Sequence, residues 1–154
     1  IIATADAEGF PSIALAVMLG YAIGQREADI LEITIPQWVA LPEHKMQPED
    51  YAVLAAAAHD GTPRGIRIRQ NKTGAWIEVP VTGSVRRRVE ANIARAKAAG
   101  RFDLILDDTR NTAAYTGAAG TTRFQRDFAQ IRETAATRAA ETGDEALATE
   151  IRTL

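Results

Sequence analysis

The chain has 154 residues, 46% hydrophobic and 25% charged, a balance that supports one packed core and excludes a disordered polyelectrolyte. It contains no cysteine, which removes disulfides, thiolate metal sites and cysteine nucleophiles together and leads us to expect a cytoplasmic protein. The net charge of −2 lacks the overall basic balance usual for a nucleic-acid binder. Positive charge is concentrated instead in Arg64, Arg67, Arg69 and Lys72, and again in Arg86, Arg87 and Arg88. No apolar run reaches the roughly 18 residues that span a bilayer, so no membrane partner is expected.

Pro11-Ser12 followed by IALAVMLGYAI reads as a helix start and an almost wholly apolar, buried helix that carries Tyr21. Gly20 and Gly24 bracket its end. A second, short helix fits Gln25 to Ile33, with Ile30, Leu31 and Ile33 inward and with Arg26 and Asp29 as neighbours three residues apart. Pro36 to Pro48 reads as loop. PEDYAVLAAAAHD then opens a helix on a proline and two acids.

GIRIRQ alternates apolar and basic residues, NKTG supplies turn chemistry, and AWIEVPV alternates again. This pattern predicts a β-hairpin with Lys72 at its tip, Ile66 and Ile68 on one face, and Arg67 and Arg69 on the other. VRRRVEANIARAKAAG follows as a helix stopped by Gly100. FDLILDD reads as a short buried strand and NTAAYTGAAG as a small-residue loop holding Tyr115. Thr121 or Thr122 is expected to cap a helix with Phe124, Phe128, Ile131 and Ala135 as its apolar stripe. DEALATEIRTL ends the chain as a last helix. The fold class is α+β, mainly α, with a small antiparallel β-hairpin or sheet.

The order of these pieces resembles the first half of the catalytic domain of the tyrosine recombinase (phage integrase) family. Gly24-Gln25-Arg26-Glu27-Ala28-Asp29-Ile30-Leu31 is similar to that family's segment after a buried helix. Lys72-Thr73-Gly74, then Val79-Pro80-Val81 and the helix from Ser84, are similar to its turn lysine and the strand and helix after it. The resemblance runs from about Phe10 to Leu154. It departs where residues 36–64 replace a much shorter connection and look like an insertion. Residues 1–154 are accordingly expected to be a fragment of one catalytic domain, ending before the second arginine and the nucleophilic tyrosine.

The resemblance implies site-specific DNA recombination, in integration or excision, through a phosphotyrosyl intermediate. Arg26 becomes the candidate catalytic arginine, with Asp29 supporting it. Lys72 becomes the candidate general acid. Arg69 and Thr73 become candidate DNA-binding residues. A fixed guanidinium suits a transition state that gains charge on phosphate oxygens. No metal and no cofactor are implied, and the partners would be double-stranded DNA and, at full length, a homo-tetramer on that DNA. Tyr115, Tyr21 and Tyr51 are not expected to be the nucleophile, and the fragment alone is expected to be inactive. Trp38 and Trp76 are read as packing residues. The alternative is a non-catalytic DNA-binding or protein-interaction module related to recombinases.

Overall fold

The computed structural model describes residues 1–69, 74–110 and 113–154. Helix α1 (Ile2–Ala7) lies against α2 (Pro11–Ile23), whose first-turn proline gives up an amide that has no helical partner there. Ile13, Leu15, Leu19 and Ile23 of α2 are buried on several sides of the helix, as its near-continuous apolar sequence requires. Gly24 ends it in the left-handed region at φ 62°, which an L side chain adopts only at a cost. Tyr21 departs from the expected burial: it is 82% exposed.

The short helix α3 (Glu27–Leu31) is tighter than the expected Gln25–Ile33 but turns Ile30 and Leu31 into the core as anticipated, with Ile33 following. The stretch read as loop contains a strand. β1 (Trp38–Ala40) lies between two single 3-10 turns, Ile35–Gln37 and Glu43–Lys45, and pairs antiparallel with β2 (Arg64–Arg69) through Trp38↔Ile66 and Ala40↔Arg64. Thus residues 36–64 complete the sheet rather than decorate it. The rest of that segment forms α4 (Pro48–Ala57), which buries no residue.

β2 and β3 (Trp76–Pro80) form the expected hairpin stem, so the sheet has the order β1-β2-β3, antiparallel throughout. Ile66 and Ile68 are buried while Arg67 and Arg69 are exposed, which is the alternation read from the sequence. Gly65 is required by packing: a Cβ there would press on the Val79 carbonyl and lie 2.9 Å from Leu41 Cδ2.

Helix α5 (Gly83–Ala98) buries Val89 and Ile93. The expected strand at FDLILDD does not form a ladder. Leu104, Ile105 and Leu106 are buried, but the backbone makes only isolated bridges, Thr34↔Asp103 and Leu106↔Ala114, among the described residues. Helix α6 (Gly117–Glu141) starts earlier than a Thr121 or Thr122 cap would allow, because those hydroxyls bond back to the Gly117 and Ala118 carbonyls inside the helix. Its stripe buries Phe124, Ile131 and Ala135, with Phe128 packed at the margin. Helix α7 (Glu145–Thr153), capped by Asp144 Oδ1 accepting from the Leu147 amide at 2.9 Å, closes against α6 through Ala136, Ala139, Ala148 and Ile151. One core joins α2, α3, the sheet, α5 and α6. Among the described residues no helix is long and apolar enough to cross a membrane.

Candidate functional site

Arg26 is the residue on which α3 begins. Its backbone is extended (φ −67°, ψ 152°), so the side chain leaves the chain just ahead of the helical turn. The Asp29 carboxylate, three residues on and back toward the helix start, accepts from Arg26 Nε at 3.0 Å and from Nη2 at 3.4 Å. This two-point clamp uses one edge of the guanidinium and fixes its plane. The side chain remains 71% exposed, against 15% for Asp29. The hydrogen bond that Arg26 donates to Asp29, followed by the charge of that carboxylate, raises the Arg26 pKa further and keeps the cation charged. Beneath them Ile30 and Leu31 anchor the helix in the core, and Glu27 Oε1 accepts from Gln125 Nε2 of α6 at 2.9 Å.

The segment after α3 is stitched to the hairpin. Gln37 Nε2 donates to the Arg67 carbonyl at 3.0 Å, and Gln37 Oε1 accepts from the Thr34 amide at 2.8 Å. Arg69 sits on the outward face at the end of β2, where its Nε donates to the Gly74 carbonyl at 3.4 Å and closes the stem. Lys72 and Thr73, with Gln70 and Asn71, lie outside the described residues. Of the expected site, then, the structure brings Arg26 and Asp29 together and places Arg69 on the hairpin stem.

The three-arginine run in α5 is not a free basic patch. Arg86 is buried at 4% side-chain exposure and donates at 2.8 Å to Asp60, to the Thr62 carbonyl and to Glu90. It therefore ties the 36–64 segment to α5. Arg88 pairs with Asp6. Other arginines behave the same way: Arg95 holds Asp108, Arg123 holds Asp107, Arg126 holds Asp127 and Arg138 holds Glu8.

Tyr115 lies at 0% exposure, its hydroxyl donating to Asp127 Oδ2 at 2.8 Å and its ring edge-on to Phe124. Burial, then the hydrogen bond to Asp127, pushes its phenol far above the ordinary tyrosine range. A phenol so held neither ionises nor reaches a phosphate.

One arrangement was not expected. Trp76 is 54% exposed on the outer face of β3, and the Arg67 guanidinium lies 5.1 Å from the centre of its ring. The packing expected of Trp76 is thus against a cation rather than the core. The signal was present in the alternation of AWIEVPV, which sends Trp76 and Glu78 to the side opposite Ile77 and Val79. Two adjoining hollows of about 660 and 190 Å³ run along α2; Val17, Gly20 and Phe128 line both, Gln25 and Glu27 line the smaller, and the walls are mostly apolar. Apolar walls do not suit a phosphate.

No family model matches the chain, and no curated protein or solved structure matches it.

Proposed function

We propose that this chain is the phosphate-holding part of a tyrosine-type site-specific DNA recombinase. The observation that supports this reading most strongly is the Arg26–Asp29 clamp: an exposed guanidinium, oriented at two points by a carboxylate, on the residue just ahead of a helix rooted in the core. A solubilising surface arginine needs no such orientation. The order of elements adds to it, since in the sequence Lys72 follows the clamp and falls between the paired strands β2 and β3.

In this reading a tyrosine hydroxyl attacks the phosphorus of a DNA phosphodiester, its proton passing to water, and the bond to the leaving oxygen breaks. The non-bridging oxygens gain negative charge as the phosphorus becomes five-coordinate. The outer edge of Arg26 donates to those oxygens, and because Asp29 already fixes its plane, little reorganisation is needed when the charge develops. Lys72 gives its proton to the leaving oxygen, which departs as a hydroxyl. The reverse attack by a second strand's hydroxyl restores the diester, returns the proton and requires no external energy source. Tyr115, locked on Asp127, is not the attacking group. Double-stranded DNA is the partner, with assembly as a homo-tetramer on it.

The test uses the protein expressed from its whole reading frame and a nicked duplex that traps the covalent step. Wild type forms a protein–DNA adduct stable to denaturant. Arg26→Ala lowers its rate about 100-fold or more, the scale seen when one preorganised charge-stabilising donor is removed. An Arg26→Ala rate equal to wild type, or no adduct from wild type on duplexes spanning its genomic flanks, would refute the reading.

A further inference from the structure

The sheet has a face that the core does not use. In the hairpin register, Arg67 opposes Glu78 and Arg69 opposes Trp76, and all four side chains point away from Ile66, Ile68, Ile77 and Val79. Elsewhere in the chain, most arginines are bound to carboxylates: Arg86, Arg95, Arg101, Arg123 and Arg126 each contact an acid at 3.0 Å or closer. The outer face of the sheet differs. Glu78 is the acid within reach of Arg67, at 3.9 Å, and of Lys45, at 4.0 Å. Arg69 has a backbone carbonyl and, among the described residues, no acid. Two cations therefore share one carboxylate at the edge of ion-pair distance, and Arg69 adds a third positive charge to the face, in a chain whose net charge is negative.

The shape of the face is as specific as its charge. Arg67 and Arg69 are two residues apart on one strand, so their Cα atoms are spaced by roughly 6.5–7 Å. The indole of Trp76 lies under the guanidinium of Arg67, whose side chain stays about half exposed with Nε turned toward Glu78. Half of the indole remains exposed.

We infer that this outer face, Arg67 and Arg69 with Trp76 as the platform beneath Arg67, is a DNA-backbone contact that seats the duplex beside the hairpin turn. The inference rests on the recombinase reading for the identity of its ligand. Under that reading Lys72 works at a phosphate, and the stem three to five residues before it lies along the same backbone. Arg67 and Arg69 are positioning residues here, and Trp76 acts through Arg67. Phosphate is favoured over a carboxylate-rich peptide because successive phosphates continue along a DNA strand and take most of the hydrogen bonds that proteins make to it.

The experiment titrates the 154-residue chain into a fluorescently labelled duplex at a series of salt concentrations. Arg67→Gln and Arg69→Gln should each weaken binding to unrelated sequences alike and reduce the slope of log K against log salt by about 0.9. Both side chains are at the surface, so neither change threatens folding. Trp76→Ala should weaken binding as Arg67→Gln does, and Trp76→Phe should restore most of it. In Trp38→Phe, Trp76 is the remaining tryptophan; duplex should quench its emission and shield it from acrylamide. Unchanged slopes in both arginine variants, an unshielded Trp76, or poly-glutamate binding as tightly as duplex would overturn the inference. The covalent-adduct assay separates the two proposals. Unchanged slopes alongside an Arg26-dependent adduct sink the face and leave the recombinase. Reduced slopes with no adduct from wild type sink the recombinase and leave a DNA-binding face.

Discussion

Replacing Tyr115 by Phe tests the core and the chemistry together. The substitution keeps the fully buried ring and its edge-on contact with Phe124 at 5.4 Å between centroids. It removes one hydroxyl that donates to Asp127 Oδ2 at 2.8 Å. Asp127 is 2% exposed, and Arg126 reaches its other oxygen through Nε at 2.9 Å and Nη2 at 2.7 Å. The loss therefore leaves Oδ2 buried and without that donor. A hydrogen bond to a charged group contributes about 1.5–3 kcal/mol net, and Arg126 still compensates the carboxylate, so about 2 kcal/mol is expected. At this chain length that corresponds to a fall in Tm of roughly 4–8 °C. Urea unfolding followed by circular dichroism measures it, with an unchanged m-value as evidence that the unfolded state is unaltered. Stability within about 0.5 kcal/mol of wild type would refute the account of the Tyr115–Asp127 bond. In the protein from the whole reading frame, Tyr115→Phe should form the covalent adduct at the wild-type rate. Loss of the adduct with the fold intact would place the nucleophile at Tyr115 and overturn its structural role.

Arg86→Met keeps the buried stem and removes a guanidinium with three 2.8 Å acceptors. Because Asp60 and Glu90 are about one third exposed, they rehydrate, and the cost should be roughly 2–3 kcal/mol by urea unfolding rather than the full penalty of an orphaned buried pair. The salt slope for DNA should not change; a drop of about one unit would make Arg86 a phosphate contact after all. Gly65→Ala should cost about 1–3 kcal/mol through strain against Val79 and Leu41, with faster hydrogen exchange in β3, and wild-type exchange there would contradict the close approach. Asp107 and Asp108 should give opposite pH effects. Burial alone pushes Asp107 up, but hydrogen bonds from Thr109 and Arg123 bring it below the usual range, so its contribution holds above about pH 3.9 and fades as pH falls through the lower folded value. For Asp108 burial outweighs the bonds from Arg95 and Ser12 and raises the pKa, so its contribution is fullest below about pH 3.9 and is lost as pH rises through the folded value. Melting curves across the acid range should show Asp107→Asn flattening the fall at low pH and Asp108→Asn removing a decline on the other side; matching changes in the two variants would contradict the opposed environments.

Local pattern alone determined the parts of this protein that depend on near neighbours. The alternation of GIRIRQ separates Ile66 and Ile68 from Arg67 and Arg69, because successive strand residues must face opposite ways. The apolar run after Pro11, the stripe through Phe124 and Ile131, and the three-residue spacing of Arg26 and Asp29 were legible for the same reason. Tertiary structure decided the rest. β1 has three residues, too few to show a period, and exists because β2 supplies its hydrogen bonds. Within FDLILDD, Leu104, Ile105 and Leu106 are buried while Phe102 is exposed, and the backbone finds isolated bridges, since burial is set by hydrophobicity and a ladder by an available partner. The same limit governed the charges. Arg86 became a clasp because Asp60 and Thr62, more than twenty residues away, fold onto it, whereas Arg67 stayed outward over Trp76. A sequence displays which residues can carry charge; which charges are cancelled depends on partners that long-range packing brings within reach.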